Sequence, residues 1–275
     1  MIQKTISKDI SISGVGIHSG KAVEMHLYPA PVNTGICFKR LDQDGAELLA
    51  SISLVQDANR ATILSNEGVR VETPEHFLAA CYGLGVDNLT VEISGAELPI
   101  MDGSAKPFVD AIQEAGIQSL DDDKIPLFVT EPFALKKDDA WIIGLPSDVF
   151  RVSYSLEYKE SFVGTQFFDS VISDDVFIKD IAAARTYGFE SEIQALYDRG
   201  LAKGGSLDNA VVIGESGYLN ELRFPDELVR HKVLDFIGDL SLVGRPIRGQ
   251  FLALKAGHSL NLDCAKHLAA INQVS

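Results

Sequence analysis

Cysteine is scarce: three in 275 residues, Cys37, Cys81 and Cys264, far apart and odd in number. No CxxC occurs among them. Neither a disulfide framework nor a thiolate zinc site is indicated, and a reducing cytoplasm is the expected location. Basic residues are few as well: 24 Lys and Arg against 39 Asp and Glu give a formal net charge of −15. A general nucleic-acid binder needs clustered cations on phosphates, so that class is excluded. One or two local cations still suffice for a phosphorylated small molecule. No apolar run reaches the roughly 20 residues of a transmembrane helix. No secretory leader is expected either, because Lys8 and Asp9 interrupt the first residues. What remains is a globular composition, long enough for one large or two medium domains.

A phosphate loop is also lacking. Gly14-Val15-Gly16-Ile17-His18-Ser19-Gly20-Lys21 has its look, but five residues separate Gly14 from Gly20 where the Walker pattern has four. Ala22 stands where Ser or Thr belongs. His18 alone is uninformative.

The first half reads as strands and turns up to about residue 55. A helix then starts at Thr73-Pro74-Glu75-His76, with Thr73 as cap and Pro74 at its first position. Glu75 and His76 fall in its first turn. Gly83 and Gly85 end it. A strand over 88–93 follows, then the turn Met101-Asp102-Gly103-Ser104, then a helix from Pro107 to Ala115. The charged run Asp121-Asp122-Asp123-Lys124 reads as a solvated linker, and the domain boundary is placed there, dividing 1–123 from 124–275.

The second half begins again with strands. Gly204-Gly205-Ser206 is a turn that could let a backbone approach a ligand closely. A long helix is expected through Arg230-His231-Lys232-Val233-Leu234-Asp235-Phe236-Ile237-Gly238-Asp239. Pro225 suits its first position, and Asp226 and Glu227 suit its positive end. Val229, Val233, Phe236, Ile237 and Leu240 make one apolar stripe. His231, Asp235 and Asp239 drift slowly around the opposite side, with Lys232 beside them. Such a side is ordinarily wet. An imidazole and a carboxylate one turn apart can nonetheless close on one cation, given a second constellation.

That second constellation comes from a faint repeat. His76 and Gly83 are seven apart, as are His231 and Gly238. If two β/α units pack pseudo-symmetrically, the two histidine helices meet at one cleft. His76, His231 and Asp235 then give three ligands, the usual number in a catalytic zinc site with one open position. Glu75 abuts a ligand, as a base acting on water would. His258 lies in a Gly-His loop after the strand 251–256 and could protonate a leaving amine. Together these point to metal-assisted hydrolysis.

The same residues carry a resemblance. The chain resembles the UDP-3-O-acyl-N-acetylglucosamine deacetylases (LpxC) of lipid A synthesis over essentially its whole length. The matching motifs are Gly16 to Lys21, Pro29 to Gly35, Glu75-His76, Pro99 to Ser104, Ala184 to Phe189, Arg230-His231-Lys232 with Asp235, and Lys255 to His258. The resemblance implies an α+β fold of two similar β/α domains, with helices packed between two sheets and a small insert in each. It implies zinc, or iron(II), on His76, His231 and Asp235. Glu75 would be the base, His258 oriented by Asp239 the acid, and the Thr186 hydroxyl an oxyanion donor. Lys232 and Lys255 would meet the diphosphate or sugar, and Tyr158 the uridine. An insert over about 187–212, including Tyr187, Gly205 and Leu207, would line a passage for the acyl chain. Family members often carry Phe at the places of Tyr187 and Leu207, and Cys at that of Ala202. The implied substrate is a UDP-linked acylated amino sugar, and the implied protein a cytoplasmic monomer.

Overall fold

The computed structural model describes residues 1–57, 61–160 and 162–272. It is a mixed α+β protein in which one topology occurs twice. The first occurrence begins with β1 (Ile2–Ile6), which pairs antiparallel with β10 (Ile117–Asp123). Between them lie β2 (Ile10–Val15), β3 (Ala22–Pro29), β4 (Ile36–Arg40) and β5 (Ala46–Leu49). Then come β6 (Val55–Asp57), β7 (Ile63–Asn66) and β8 (Val69–Glu72), a small sheet of their own. Helix α1 (Glu75–Leu84), β9 (Leu89–Ile93) and α2 (Lys106–Ala115) complete it. The main sheet has the order β2-β3-β9-β4-β5, with β9 antiparallel to β3 and parallel to β4.

The second occurrence comprises β11 (Leu127–Phe128), β12 (Phe133–Lys137), β13 (Ala140–Leu145), β14 (Phe150–Glu157) and β15 (Thr165–Val171). A short α3 (Asp174–Val176) runs on into a π-helical turn, Phe177–Ile181. The insert follows: β16 (Tyr187–Phe189), α4 (Glu190–Asp198) and β17 (Val211–Ile213), with the two strands parallel. Last are α5 (Glu227–Ser241), β18 (Ile247–Leu254) and α6 (His258–Ile271). The path β12-β13-β18-β14-β15 repeats the order of the first sheet, β18 being antiparallel to β13 and parallel to β14, and β11 adds a sixth strand that pairs parallel with β18 off this path. In each half two hairpins are laid down first. The strand between the two helices then slots into the gap between them.

The helices fill the space between the sheets. Phe77 of α1 packs edge-on against Phe38 of β4 and Phe108 of α2. Phe236 of α5 does the same against Tyr154 of β14 and Phe251 of β18. The two helix layers touch where Gly238 meets Glu75. A Cβ on Gly238 would lie 2.2 Å from the Glu75 carbonyl oxygen, so only glycine allows this approach. Gly83, the matching position on α1, receives the ring of Phe177 in the same way. No helix among the described residues is long and apolar enough to cross a membrane.

Four sequence expectations change here. Thr73 does not cap α1: its φ is +57°, its hydroxyl has no hydrogen-bond partner, and Pro74 is the capping position. Pro225 likewise precedes the helix, since Asp226 is the N-cap of α5. The run Asp121–Asp123 is no linker but the end of β10, paired with β1, while Lys124 binds the Asp87 carboxylate at 2.8 Å. His258 opens α6 rather than sitting in a loop, and Leu260, Cys264 and Leu268 of that helix are buried.

Candidate active site

Helices α1 and α5 bring the sequence-distant candidates together. The ligating atoms of His76, His231 and Asp235 all lie within 4.8 Å of one another, so the three could hold one metal ion. Asp235 Oδ1 is 3.3 Å from His231 Nε2 and 3.6 Å from His76 Nε2. All three residues are buried, as are Glu75 and Asp239. The side of α5 opposite its apolar stripe is therefore not wet. It faces α1 and α6 instead of water.

Asp235 Oδ1 carries the argument for a cation. It is a buried carboxylate oxygen with no hydrogen-bond partner. Leaving such an atom unmatched is costly, and two imidazole nitrogens beside it complete a donor set suited to zinc. The tautomer agrees. His231 Nδ1–H donates to the Ala184 carbonyl at 3.1 Å, which leaves Nε2 as the free lone pair. Burial, against the pull of Asp235, pushes the His231 imidazolium down to about 3, so the ring is neutral. Burial resists ionisation of Asp235, but His231, Lys232 and His258 together hold its carboxyl well below the usual range.

The proton-handling groups stand alongside. Burial raises Glu75 to about 7 despite the opposing charges of His258 and His76. His258 Nδ1–H donates to Asp239 Oδ2 at 2.8 Å, and its Nε2 lies 4.0 Å from Glu75 Oε1 and 3.8 Å from Asp235 Oδ2. Burial opposes protonation of His258, but Asp239 and Asp235 outweigh it and raise the group to about 10. One neighbour near neutrality and one held protonated is the pairing that acid–base work requires.

The remaining candidates divide. Lys232 Nζ binds Asp235 Oδ2 at 3.0 Å and lies over the Tyr187 ring at 5.3 Å. The Tyr187 ring packs edge-on to His231, and its hydroxyl meets that of Tyr158 at 2.9 Å. Thr186 is half-buried, two residues after the carbonyl that orients His231, and its amide donates to Gly103 at 2.7 Å. Lys255 is not drawn to this cluster: its ammonium lies against Glu157 and Asp139 at 2.6 and 3.3 Å. Leu207 is exposed. The close backbone approach read at Gly204-Gly205 is to the chain itself. The Gly204 amide donates to Ile17, and a Cβ there would lie 2.3 Å from the Gly16 carbonyl oxygen; Gly205 merely closes a turn on Ala202.

Several residues were invisible in sequence. Thr62 and Asn261 both donate to Asp239, at 2.6 and 2.9 Å. Glu227, read as a helix-end acid, is fully buried and accepts from the Arg185 side chain at 2.8 Å and from the Arg185 and Arg223 amides at 3.0 and 2.6 Å. This fixes the chain at Arg185, between Ala184 and Thr186. The glycine turn at 16–20 does hold an anion, but an internal one. The His18 and Ser19 amides donate to the buried Glu97 carboxylate at 2.7 and 2.8 Å.

The fold and site thus define a mixed α+β protein with a buried cluster able to hold a metal beside an acid–base pair. Comparison with known proteins then places it. The model of the family described as UDP-3-O-acyl N-acetylglycosamine deacetylase, LpxC, matches residues 3–270, and the chain belongs to that family. It is 46% identical over 270 residues to the UDP-3-O-acyl-N-acetylglucosamine deacetylase of Anaeromyxobacter sp. (strain Fw109-5), covering 98% of this chain and 88% of that protein. It is 45% identical over 273 residues to the enzyme of the same name from Thioalkalivibrio sulfidiphilus, covering 98% and 90%. With that of Leptospira biflexa serovar Patoc the identity is 42% over 268 residues, covering 96% and 88%.

Proposed function

We propose that the chain is a zinc-dependent amidohydrolase that removes the acetyl group from UDP-3-O-(3-hydroxyacyl)-N-acetylglucosamine. The products are acetate and the free amine, in the committed step of lipid A biosynthesis. The observation that carries this reading is the unpartnered Asp235 Oδ1, buried between the His76 and His231 imidazoles, with His258 near the other oxygen of the same carboxylate and near Glu75. Family membership supplies the substrate.

His76, His231 and Asp235 would hold the ion, zinc or iron(II), both of which suit this donor set. Bound there, it supplies Lewis acidity toward the amide carbonyl and a water. Glu75 would serve as the base, taking a proton from water at the site. The Thr186 hydroxyl donates to the oxygen on which charge develops. His258 Nε2–H gives its proton to the departing nitrogen, while Asp239 holds the ring from the other side. Lys232 meets the diphosphate or sugar, with Lys255 further out, and Tyr158 lies near the uridine. The segment 187–212, with Gly205 and Leu207, takes the acyl chain. A UDP-linked substrate and three free thiols suit a cytoplasmic enzyme, here taken as a monomer.

The test is metal content measured alongside acetate release, in the wild type and in His231→Ala. About one zinc per chain, with acetate release, and loss of both in the variant are expected. Zinc bound without acetate release would overturn the substrate.

A further inference from the structure

We infer that Thr62 is a positioning residue for this reaction, holding the base and the acid in register with one another. The inference rests on the reading of Glu75 and His258 as the proton-exchanging pair. Thr62 is fully buried and makes one bond to each side of that pair. Its hydroxyl donates to Asp239 Oδ1 at 2.6 Å, and its amide donates to Glu75 Oε2 at 3.3 Å.

The two bonds do different things. On the Asp239 side, the carboxylate is divided: Oδ1 takes Thr62, while Oδ2 takes His258 at 2.8 Å and Asn261 at 2.9 Å. With Oδ1 fixed, the carboxylate cannot rotate, and the plane in which it receives the imidazole is set. On the Glu75 side, engagement of Oε2 leaves Oε1 as the oxygen turned toward His258 Nε2, 4.0 Å away. A threonine suits this double duty, because its branched β-carbon restricts χ1 and its hydroxyl carries one proton to give.

The backbone around Thr62 is anchored accordingly. Its carbonyl accepts from the Thr73 amide at 3.0 Å, and Thr73 sits at φ +57° just before α1 begins. The start of β7 is thereby pinned to the start of α1, which carries Glu75 and His76. The small sheet β6-β7-β8 delivers Thr62, much as the insert of the second half includes Tyr187 and follows directly on Thr186.

The experiment compares Thr62→Val with Thr62→Ser. Valine keeps the shape and removes the hydroxyl; serine keeps the hydroxyl. Thr62→Val is expected to lower kcat about 10- to 100-fold, the usual effect of losing a partner that orients an active-site group. KM and zinc content stay at wild-type values, and Thr62→Ser recovers most of kcat. A second readout is independent of turnover. The far-downfield proton resonance of His258 Nδ1–H is expected in the wild type and in Thr62→Ser, and to be shifted or lost in Thr62→Val. Equal losses in both variants, a rise in KM without a fall in kcat, or loss of zinc would overturn the inference. Should Thr62→Val not fold, Thr62→Cys, with a weaker donor of similar size, is read by the same criteria. A wild type that keeps the resonance but releases no acetate would instead count against the deacetylase reading.

Discussion

Glu75 answers to two opposed influences, the apolar burial that raises it to about 7 and the imidazoles that draw it down. Protonated, it can accept nothing; activity is therefore expected to fall as pH drops through about 7. His258, held up to about 10 by Asp239 and Asp235 against its burial, is lost as an acid only as pH rises through that value. The pH–rate profile should be a bell, and His258→Ala should remove its alkaline limb while leaving the acid limb. An unchanged bell in that variant would exclude the role. Glu75→Ala should retain zinc and lose about 100- to 10,000-fold in turnover. Loss of metal instead would make Glu75 a ligand. At this scale His231 and Asp235 could be paired in sequence, because helical periodicity lines up an i, i+4 pair, while His76 was joined to them only by the faint repeat and the resemblance. Thr62 and Asn261 could not. A threonine and an asparagine carry no spacing signal, and only the tertiary fold, which sets Thr62 just ahead of β7 and packs α6 on α5, brings them to Asp239.

Helix α5 was legible in its extent and its apolar stripe but not in its surroundings. Amphipathic reasoning gives a helix one dry face and one wet face. Here α1 and α6 cover the second face, so His231, Asp235 and Asp239 are dry as well. That burial is what keeps the His231 ring neutral. Helix α6 went unread, although Leu260, Cys264 and Leu268 recur at four-residue intervals and all are buried. The sharpest constraint between elements is Gly238, whose missing side chain lets α5 close on the backbone of α1. Gly238→Ala should cost about 1–3 kcal/mol in urea unfolding and lower zinc occupancy, because the histidine helices are pushed apart. Gly83→Ala should cost less, since the ring of Phe177 can move where a backbone cannot. Equal costs would contradict this picture.

Across the molecule the same order of strands and helices is used twice, and one cluster draws on both. His76 comes from the first occurrence, His231 and Asp235 from the second. We propose that these are two units, 1–123 and 124–275. A protease site placed at the exposed Ile125 should yield two fragments that co-elute and hold zinc together. Separate elution would contradict the proposal. A metal bridging α1 and α5, as proposed, would also stabilise their contact by mass action, about 4 kcal/mol were free zinc a thousandfold above its dissociation constant. Chelation should therefore lower Tm along with activity, and added zinc restore both; an unchanged Tm would remove the bridge. The repeat was faintly visible as the shared seven-residue spacing from histidine to glycine, but the matching sheets were not, since strand order is set by long-range pairing.

The glycine turn that holds Glu97 has a kinetic meaning of its own. Two amides converge on a carboxylate that belongs to the same chain. A tethered group is present at an effective concentration on the order of millimolar or more. A free phosphate or carboxylate of similar affinity and lower concentration is outcompeted in proportion. The chain thus carries its own resident competitor, and a cradle that looks built for a visitor works as a permanent rivet.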